Sequence, residues 1–276
     1  MPIITLTTDF GTKDHFVGMI KGAIYKELAE VNIVDISHEI SPFSITEAAY
    51  ILKNSYQNFA SGTIHIIGVD SEISIENKPI AIQLDNQYFI CCDNGIISMI
   101  TNEIKPDKIV EITIQNPNDG IFSILDLFIK VACHIARGGM LDVIGKKIEN
   151  IKQLFEIQPL INSEQNQIVG NIIYIDNFGN VISNISQSVF NNVGKGRSFE
   201  VIARNYTFTK IYKKYNDIVD FSIPLDKRQD DGKRLAIFNS ANFLEISIYR
   251  SNLTTVGGAS NLLGLNYRDS ITVRFI

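Results

Sequence analysis

The sequence predicts an α/β N-terminal domain with a layered, mostly parallel sheet and a smaller, all-β, barrel-like C-terminal domain. Strand-like and helix-like segments alternate over residues 1–150, which is typical of a layered α/β fold. Short apolar segments separated by turns follow one another over 168–276, which favours a barrel or sandwich. The polar, irregular stretch 151–167 is predicted to link them. A length of 276 residues also fits two domains, at about 150 residues each.

The N-terminal elements follow from periodicity and punctuation. Near-helical spacing of apolar residues predicts helices over 15–28 and 44–59, and Ser44 with Glu47 has the spacing of a capping box. A third helix over 127–136 ends at two glycines, and Asn94 with Gly95 predicts a turn before a short helix. Strands are predicted over 3–7, 31–36, 63–69, 80–84, 88–92 and 109–112, and the turn DNQ makes 80–92 a hairpin.

The C-terminal half contains recurring strand-like segments. They are IVGNIIYI, VISNI, FEVIA, YTFTKI, RLAIF, FLEISI and ITVRF. Turn residues separate them, so the chain is expected to form an antiparallel barrel-like sheet.

Composition argues against several classes of function. A net charge of −5 without a long basic run gives no support for a nucleic-acid partner. Cys91, Cys92 and Cys133 lack metal-ligand spacing and are expected to be reduced thiols in a core, with no metal bound. No apolar run approaches the roughly 18 residues of a membrane span, and no basic region precedes an apolar leader. We therefore expect a cytoplasmic protein without a membrane partner.

The segment TTDFGTKDHF holds two carboxylates after the first predicted strand. Asp9 lies at the carboxyl end of that strand, where open α/β sheets bind ligands, and its two oxygens can accept both hydroxyls of a cis-diol. Asp14 lies near the start of the following helix, which it could instead cap, because carboxylates favour helix N-termini. A turn role stays open for Asp9. His38, in DISHEIS, is expected to be a structural hydrogen bonder more than a catalyst.

Six segments in one order resemble the S-adenosylmethionine hydroxide adenosyltransferase family, which also contains fluorinating and chlorinating enzymes. They are TTDFGTKDHFVGMIKGAI, IVDISHEISPFSITEAAYIL, GTIHIIGVD, YFICCDNGIISMI, IIYIDNFGNVISNI and FNSANFLEI. The resemblance implies the same two-domain fold and a homotrimer whose sites lie between neighbouring subunits. It also implies attack of water at the ribose C5′ carbon of S-adenosylmethionine, giving adenosine and methionine, with no cofactor.

The resemblance also implies substrate-binding residues. Asp9 matches the aspartate that takes the ribose hydroxyls, whereas Asp14 and Asp176 match acids near the methionine ammonium. Phe178 matches the ring that lines the purine pocket, and Asn180 matches the adenine-reading amide. Ser240 matches the hydroxyl that meets the methionine carboxylate, and Glu245 matches one more binding residue. Phe122 matches a residue of the binding pocket. On residue type alone, DNFGN is also a tight hairpin turn.

The catalytic set departs from the family pattern. The family's Asp–Arg–His set, which prepares the attacking water, falls on Asp70, Asn77 and Ser123 here. Lys78 stands next to Asn77 and could supply a cation. Water has a pKa of about 15.7, so it needs orientation or deprotonation, and an unassisted carboxylate is a weak general base. Because a sulfonium departs as a neutral thioether, the leaving group needs no acid.

Three alternatives to hydrolysis stay open at this point. The chain could bind S-adenosylmethionine or adenosine without turnover, or it could act on another 5′-substituted adenosine. Halogenation is disfavoured, because the carboxylate of Asp70 would repel an incoming halide.

Overall fold

A computed structural model describes residues 1–101, 104–114, 122 and 124–276. These residues form two compact units, Met1–Phe155 and Glu156–Ile276, and the division falls inside the predicted linker 151–167. In the described ranges, no helix has both the length and the apolar character that crossing a membrane requires.

The first unit alternates strands and helices, as predicted. Its strands are β1 Ile3–Thr8, β2 Asn32–Ser37, β3 Ile64–Gly68, β4 Pro79–Leu84, β5 Gln87–Cys92, β6 Lys108–Ile112 and β7 Gly145–Lys147. Its α-helices are α1 Phe16–Glu27, α2 Ile45–Lys53, α3 Ile96–Thr101 and α4 Ile129–Ala136. Single turns of 3₁₀-helix occur at Tyr56–Asn58 and Leu141–Val143, and a π-helical turn, Ile124–Phe128, leads into α4.

The sheet of the first unit is mixed, which corrects the prediction of a mostly parallel sheet. The strand order is β2-β1-β3-β5-β4-β6-β7. The first three pairings in this order are parallel and the last three are antiparallel. The cause is the β4–β5 hairpin, whose two-residue turn, Asp85–Asn86, has positive φ at both positions. The hairpin places β4 between β5 and β6 and reverses the chain there.

Apolar side chains cover both faces of this sheet. Along β3, Ile64 and Ile66 belong to a buried cluster with residues of α1 and α4, whereas Ile67 belongs to a second cluster with residues of α2 and α3. Successive side chains of a strand point to opposite faces, so the helices form two outer layers around the sheet. The three cysteines are free and buried, as the sequence predicted.

One predicted helix start has a different structure from the one expected. Ser44 is the N-cap of α2, but its side chain makes no capping hydrogen bond. Glu47 instead accepts a hydrogen bond from the backbone of Ser41 at 3.0 Å. The capping-box prediction is therefore wrong, because Glu47 fixes the preceding turn.

The second unit consists mainly of strands. They are β8 Leu160–Ile161, β9 Gln167–Ile175, β10 Val181–Ser186, β11 Phe199–Ala203, β12 Tyr206–Phe208, β13 Ile211–Tyr212, β14 Arg234–Phe238, β15 Phe243–Ile248 and β16 Ser270–Phe275. Its other elements are α5 Gln187–Gly194, α6 Ala259–Leu262 and 3₁₀ turns at Tyr215–Ile218 and Leu225–Lys227. The strand-like segments predicted for this half all contain strands, but YTFTKI divides into β12 and β13.

The sheet of the second unit is barrel-like. Its strand order is β12-β11-β16-β9-β10-β15-β14-β13, with β8 beside β9. The outermost strands, β12 and β13, are joined by only two residues, so the sheet must curl until its edges approach. The prediction of an all-β domain is corrected by α5, which Ser186 caps by accepting a hydrogen bond from Val189.

Candidate functional site

Two aspartates of the predicted site lie at one edge of the first sheet. Thr8, the last residue of β1, pairs with Gly68, the last residue of the parallel strand β3. Asp9 follows Thr8 directly, and Asp70 stands two residues after Gly68. Because β1 and β3 are parallel neighbours, both residues lie at the carboxyl edge of the sheet, where open α/β folds bind ligands.

Three aromatic rings pack together beside this edge. The ring centroids of Phe10, Phe16 and Phe122 lie 5.3–5.7 Å apart in each pairing. A Cβ atom on Gly68 would lie 2.2 Å from the side chain of Ile124, so glycine allows the chain after Phe122 to approach β3 closely. Phe122 therefore belongs to the carboxyl edge together with Asp9.

The carboxylate of Asp9 already serves the loops at this edge. It accepts a hydrogen bond from the backbone of Phe43 at 2.8 Å, which supports the turn role that the sequence left open. Asp14 is exposed, and His15 rather than Asp14 is the N-cap residue of α1, so the capping alternative for Asp14 is wrong.

His38 is buried beneath the same loops. Its two ring nitrogens lie 2.8 Å from the hydroxyl of Thr8 and 3.1 Å from a carboxylate oxygen of Asp35. Its carbonyl oxygen also accepts a hydrogen bond from Gly11 at 2.7 Å. These contacts support the structural interpretation of His38, because they join β1, β2 and the loop after Asp9.

Two asparagine amides hold the backbone around Asp70. The side-chain amide of Asn77 donates to the carbonyl oxygens of Asp70 and Glu72 at 3.0 and 2.8 Å. The amide of Asn94 donates to the carbonyl oxygens of Val69 and Asp70 at 3.0 and 3.2 Å. Asn77, at the position where the resemblance expects arginine, thus bonds the loop that carries Asp70.

Lys78 is engaged away from this loop. Its ammonium lies 3.0 Å from a carboxylate oxygen of Glu111 on β6. The idea that Lys78 supplies the missing cation therefore finds no support in its contacts. Ser123, predicted to stand at the family's histidine position, lies outside the described residues.

The second unit brings Asp176, Phe178 and Asn180 together in the turn between β9 and β10. The carboxylate of Asp176 accepts hydrogen bonds from the backbones of Phe178 and Asn180 and from the side-chain amide of Asn180, each at 2.9 Å. The hairpin-turn interpretation of DNFGN is confirmed by these bonds. Phe178 remains 57% exposed, so its ring is available for stacking.

Glu245 and Ser240 lie along β15 and the turn before it. Glu245 is buried, and its carboxylate accepts hydrogen bonds from the hydroxyls of Tyr215 and Ser247. Burial raises the pKa of Glu245, and the charge of Asp176 raises it further. Ser240 is exposed in the turn preceding β15, whereas the 176–180 turn lies beside the other end of that strand. The strand pairing therefore separates Ser240 from Asp176 within the unit.

Comparison with known proteins identifies the family. Residues 4–145 match the model of the SAM hydroxide adenosyltransferase N-terminal domain, and residues 170–272 match the model of the C-terminal domain. The chain belongs to the SAM hydroxide adenosyltransferase family. The family that the six sequence segments resemble is thereby confirmed.

Full-length relatives within this family include differently named enzymes. The protein named (R)-S-adenosyl-L-methionine hydrolase from Methanocaldococcus jannaschii is 28% identical, with 99% of this chain and 96% of that protein covered. A protein named fluorinase from Actinopolyspora mzabensis is 20% identical, with 89% and 90% covered. The crystal structure of an uncharacterized conserved protein from Thermotoga maritima, 27% identical, superimposes with a TM-score of 0.81 over 99% of this chain and 100% of that one.

Asn94, whose amide holds the backbone of Asp70, was missed by sequence reasoning, because CDNG was interpreted only as a turn. An asparagine two residues after a buried parallel strand and directly before a glycine could have been considered as a hydrogen-bond donor to neighbouring carbonyls. Among the described residues, no group of three or more His, Cys, Asp or Glu side chains is placed to hold a metal ion.

Proposed function

We propose that this protein hydrolyses S-adenosylmethionine to adenosine and methionine. The observation that carries the proposal is the pair Asp9 and Asp70 at the carboxyl edge of β1 and β3. The full-length similarity to a protein named (R)-S-adenosyl-L-methionine hydrolase supports it. No cofactor is required, because the sulfonium itself is a good leaving group.

The proposed step is a displacement at the ribose C5′ carbon. A water oxygen forms a bond to C5′ while the bond from C5′ to sulfur breaks, and methionine leaves as a neutral thioether. Asp70 accepts a hydrogen bond from this water and takes its proton, a contribution typically worth about 10²–10⁴-fold. Asp9 takes the ribose hydroxyls, because a carboxylate offers two acceptor oxygens to a diol.

The remaining binding roles follow the family pattern. Asp14 and Asp176 face the methionine ammonium, Asn180 reads the adenine edge, and the ring of Phe178 stacks on the purine. Glu245 and Phe122 complete the pocket. Ser240 is left out of this site, because the strand pairing separates it from Asp176, whereas the ammonium and the carboxylate of methionine are attached to one carbon. The hydrogen bonds inside the 176–180 turn support these assignments, because they hold Asp176 and Asn180 in one geometry.

Adenosine formation tests the proposal. Purified protein is incubated with S-adenosylmethionine, and adenosine and methionine are quantified by chromatography; both should appear in equal amounts. Asp70→Asn should lower the rate by about 100-fold or more, because it removes the base. Glu72→Gln, an exposed acid in the same loop, is the matched control and should keep the wild-type rate. Unchanged turnover in Asp70→Asn would exclude the role proposed for Asp70.

A non-catalytic binding protein is the second candidate. It is favoured by the engagement of Asn77 with loop carbonyls and of Lys78 with Glu111, since neither residue replaces the arginine of the family set. Calorimetry separates the two functions: tight binding of S-adenosylmethionine without any adenosine formation would establish the second candidate. Binding of another 5′-substituted adenosine in preference would indicate a different substrate.

We also propose a homotrimer in which the N-terminal domain of one subunit and the C-terminal domain of its neighbour form each site. Mixing and reassembling inactive Asp70→Asn and Asp176→Asn chains tests this arrangement. Random 1:1 trimers would regain about one quarter of wild-type activity, because each mixed trimer contains one site that is intact on both sides. Sites formed within a single chain would regain none.

A further inference from the structure

Asp70 has an unusual backbone conformation. Its φ is 45°, in the left-handed region that residues other than glycine seldom adopt. Such conformations persist where surrounding contacts over-determine them, and they cluster at functional sites. The contacts that hold Asp70 in this conformation therefore bear directly on where its carboxylate points.

Two side-chain amides from different segments converge on one carbonyl group. Asn77 and Asn94 both donate to the carbonyl oxygen of Asp70, at 3.0 and 3.2 Å. Asn94 is 4% exposed, and its own side-chain oxygen accepts a hydrogen bond from the backbone of Ile96 at 3.1 Å. The conformation of Asp70 is thus tied to the start of α3 on one side and to its own loop on the other.

Asn77 is held in place even though one of its atoms lacks a partner. Its side-chain oxygen is buried and accepts no hydrogen bond from any described residue. Burying an amide oxygen without a hydrogen-bond donor is unfavourable. Its amide nitrogen, by contrast, donates to Asp70 and Glu72. The two donated bonds are therefore the described contacts that account for the inward orientation of this side chain.

We infer that Asn77 and Asn94 are positioning residues of the hydrolysis, acting through Asp70. They lock the left-handed backbone so that the carboxylate is presented at the edge of the sheet in a fixed direction. Neither residue contacts the reacting atoms. This inference rests on the proposed function, and it assigns Asn77 a task different from the catalytic one expected from its place in the family's Asp–Arg–His set.

Steady-state kinetics of single and double variants test the inference. Asn77→Ala should lower kcat by about 10- to 100-fold and leave KM within about twofold, because misplacing a catalytic group by about 1 Å can cost 100-fold. Asn94→Ala should act in the same direction. Ile75→Ser is the matched control, since Ile75 is 93% exposed in the same loop, and it should retain wild-type kcat.

The double variant distinguishes positioning from a general structural role. If Asn77 acts through Asp70, then Asn77→Ala should change kcat by less than about twofold in the Asp70→Asn background. An equal loss of kcat in both backgrounds, or a rise in KM with unchanged kcat, would overturn the inference.

Thermal unfolding gives a second readout that needs no activity. Glycine adopts the left-handed conformation freely, so Asp70→Gly should reduce the dependence on the two amides. Asn77→Ala should lower Tm in the wild-type chain and lower it less in the Asp70→Gly background. Equal Tm losses would contradict the inference, and absence of adenosine formation by the wild type would contradict only the proposed function.

Discussion

Acidification should destabilise the N-terminal unit through His65, a fully buried histidine on β3. Its ring is fully buried, with one nitrogen 2.7 Å from the hydroxyl of Thr5 and the other 2.6 Å from the side-chain oxygen of Gln87. The amide nitrogen of Gln87 donates to the carbonyl of Tyr56, which turns its oxygen toward His65. The Nε2 atom of the neutral ring therefore carries the hydrogen, and Thr5 donates to Nδ1.

The magnitude follows from the pKa of this ring. Burial lowers the pKa of His65 from 6.5 to about 4, against the opposing effect of the hydrogen bond to Gln87. Between these values the unfolded chain binds a proton that the folded chain does not, so stability falls as the pH drops from about 6.5 to about 4. The two pKa values differ by about 2.5, and each pKa unit corresponds to about 1.36 kcal/mol. The free energy of unfolding therefore falls by about 3 kcal/mol in total.

Urea unfolding at pH 7 and pH 4.5 measures this effect. The chain contains no tryptophan, so circular dichroism is the appropriate signal. Between these two pH values the free energy of unfolding should fall by about 2.5 kcal/mol more in wild type than in His65→Gln, because glutamine is polar but cannot titrate. Other titrating groups, including Glu245, contribute equally to both proteins and cancel. His15→Gln, at an exposed position, should behave like wild type.

The refuting result is an equal loss in wild type and His65→Gln. It would mean that the folded protein accommodates a proton on His65 at no cost, by rearranging its contacts with Thr5 and Gln87. Burial would then not keep the ring of His65 neutral, although the fold would not be in question.

Three further predictions concern the two units. Gly68→Ala should destabilise the protein by about 1–3 kcal/mol in urea unfolding, because the new Cβ would lie 2.2 Å from Ile124, and Ile124→Val in the same chain should recover part of that loss. Lys78→Met should change stability by less than about 1 kcal/mol and leave adenosine formation unchanged, since the pair with Glu111 is a surface ion pair; a large loss of kcat would restore Lys78 as a candidate cation. Asp176→Ala should lower the free energy of unfolding by about 2 kcal/mol, because three hydrogen bonds of the 176–180 turn lose their acceptor. An unchanged Tm in thermal unfolding would contradict this prediction.

Several features of this protein could be predicted from its sequence because they depend on local periodicity. The apolar spacing predicted α1, the turn DNQ predicted the β4–β5 hairpin, and the serial apolar segments predicted the strands of the second unit. Asp9 and Asp70 could be placed at strand ends for the same reason. The resemblance of six ordered segments identified the family, since order along the chain needs no coordinates.

Other features depend on which segments meet in space. Mixed pairing in the first sheet arises because β4 is inserted beside β6, and nothing in either strand alone specifies its neighbour. The inward orientation of Asn77, and the engagement of Lys78 with Glu111, depend on partners brought near by the folded chain. Periodicity along the sequence determines secondary structure, because it reflects which face of an element is buried. Long-range hydrogen bonds and ion pairs form only once the packed sheet has brought their atoms together, so tertiary structure alone decided how the loop around Asp70 is held.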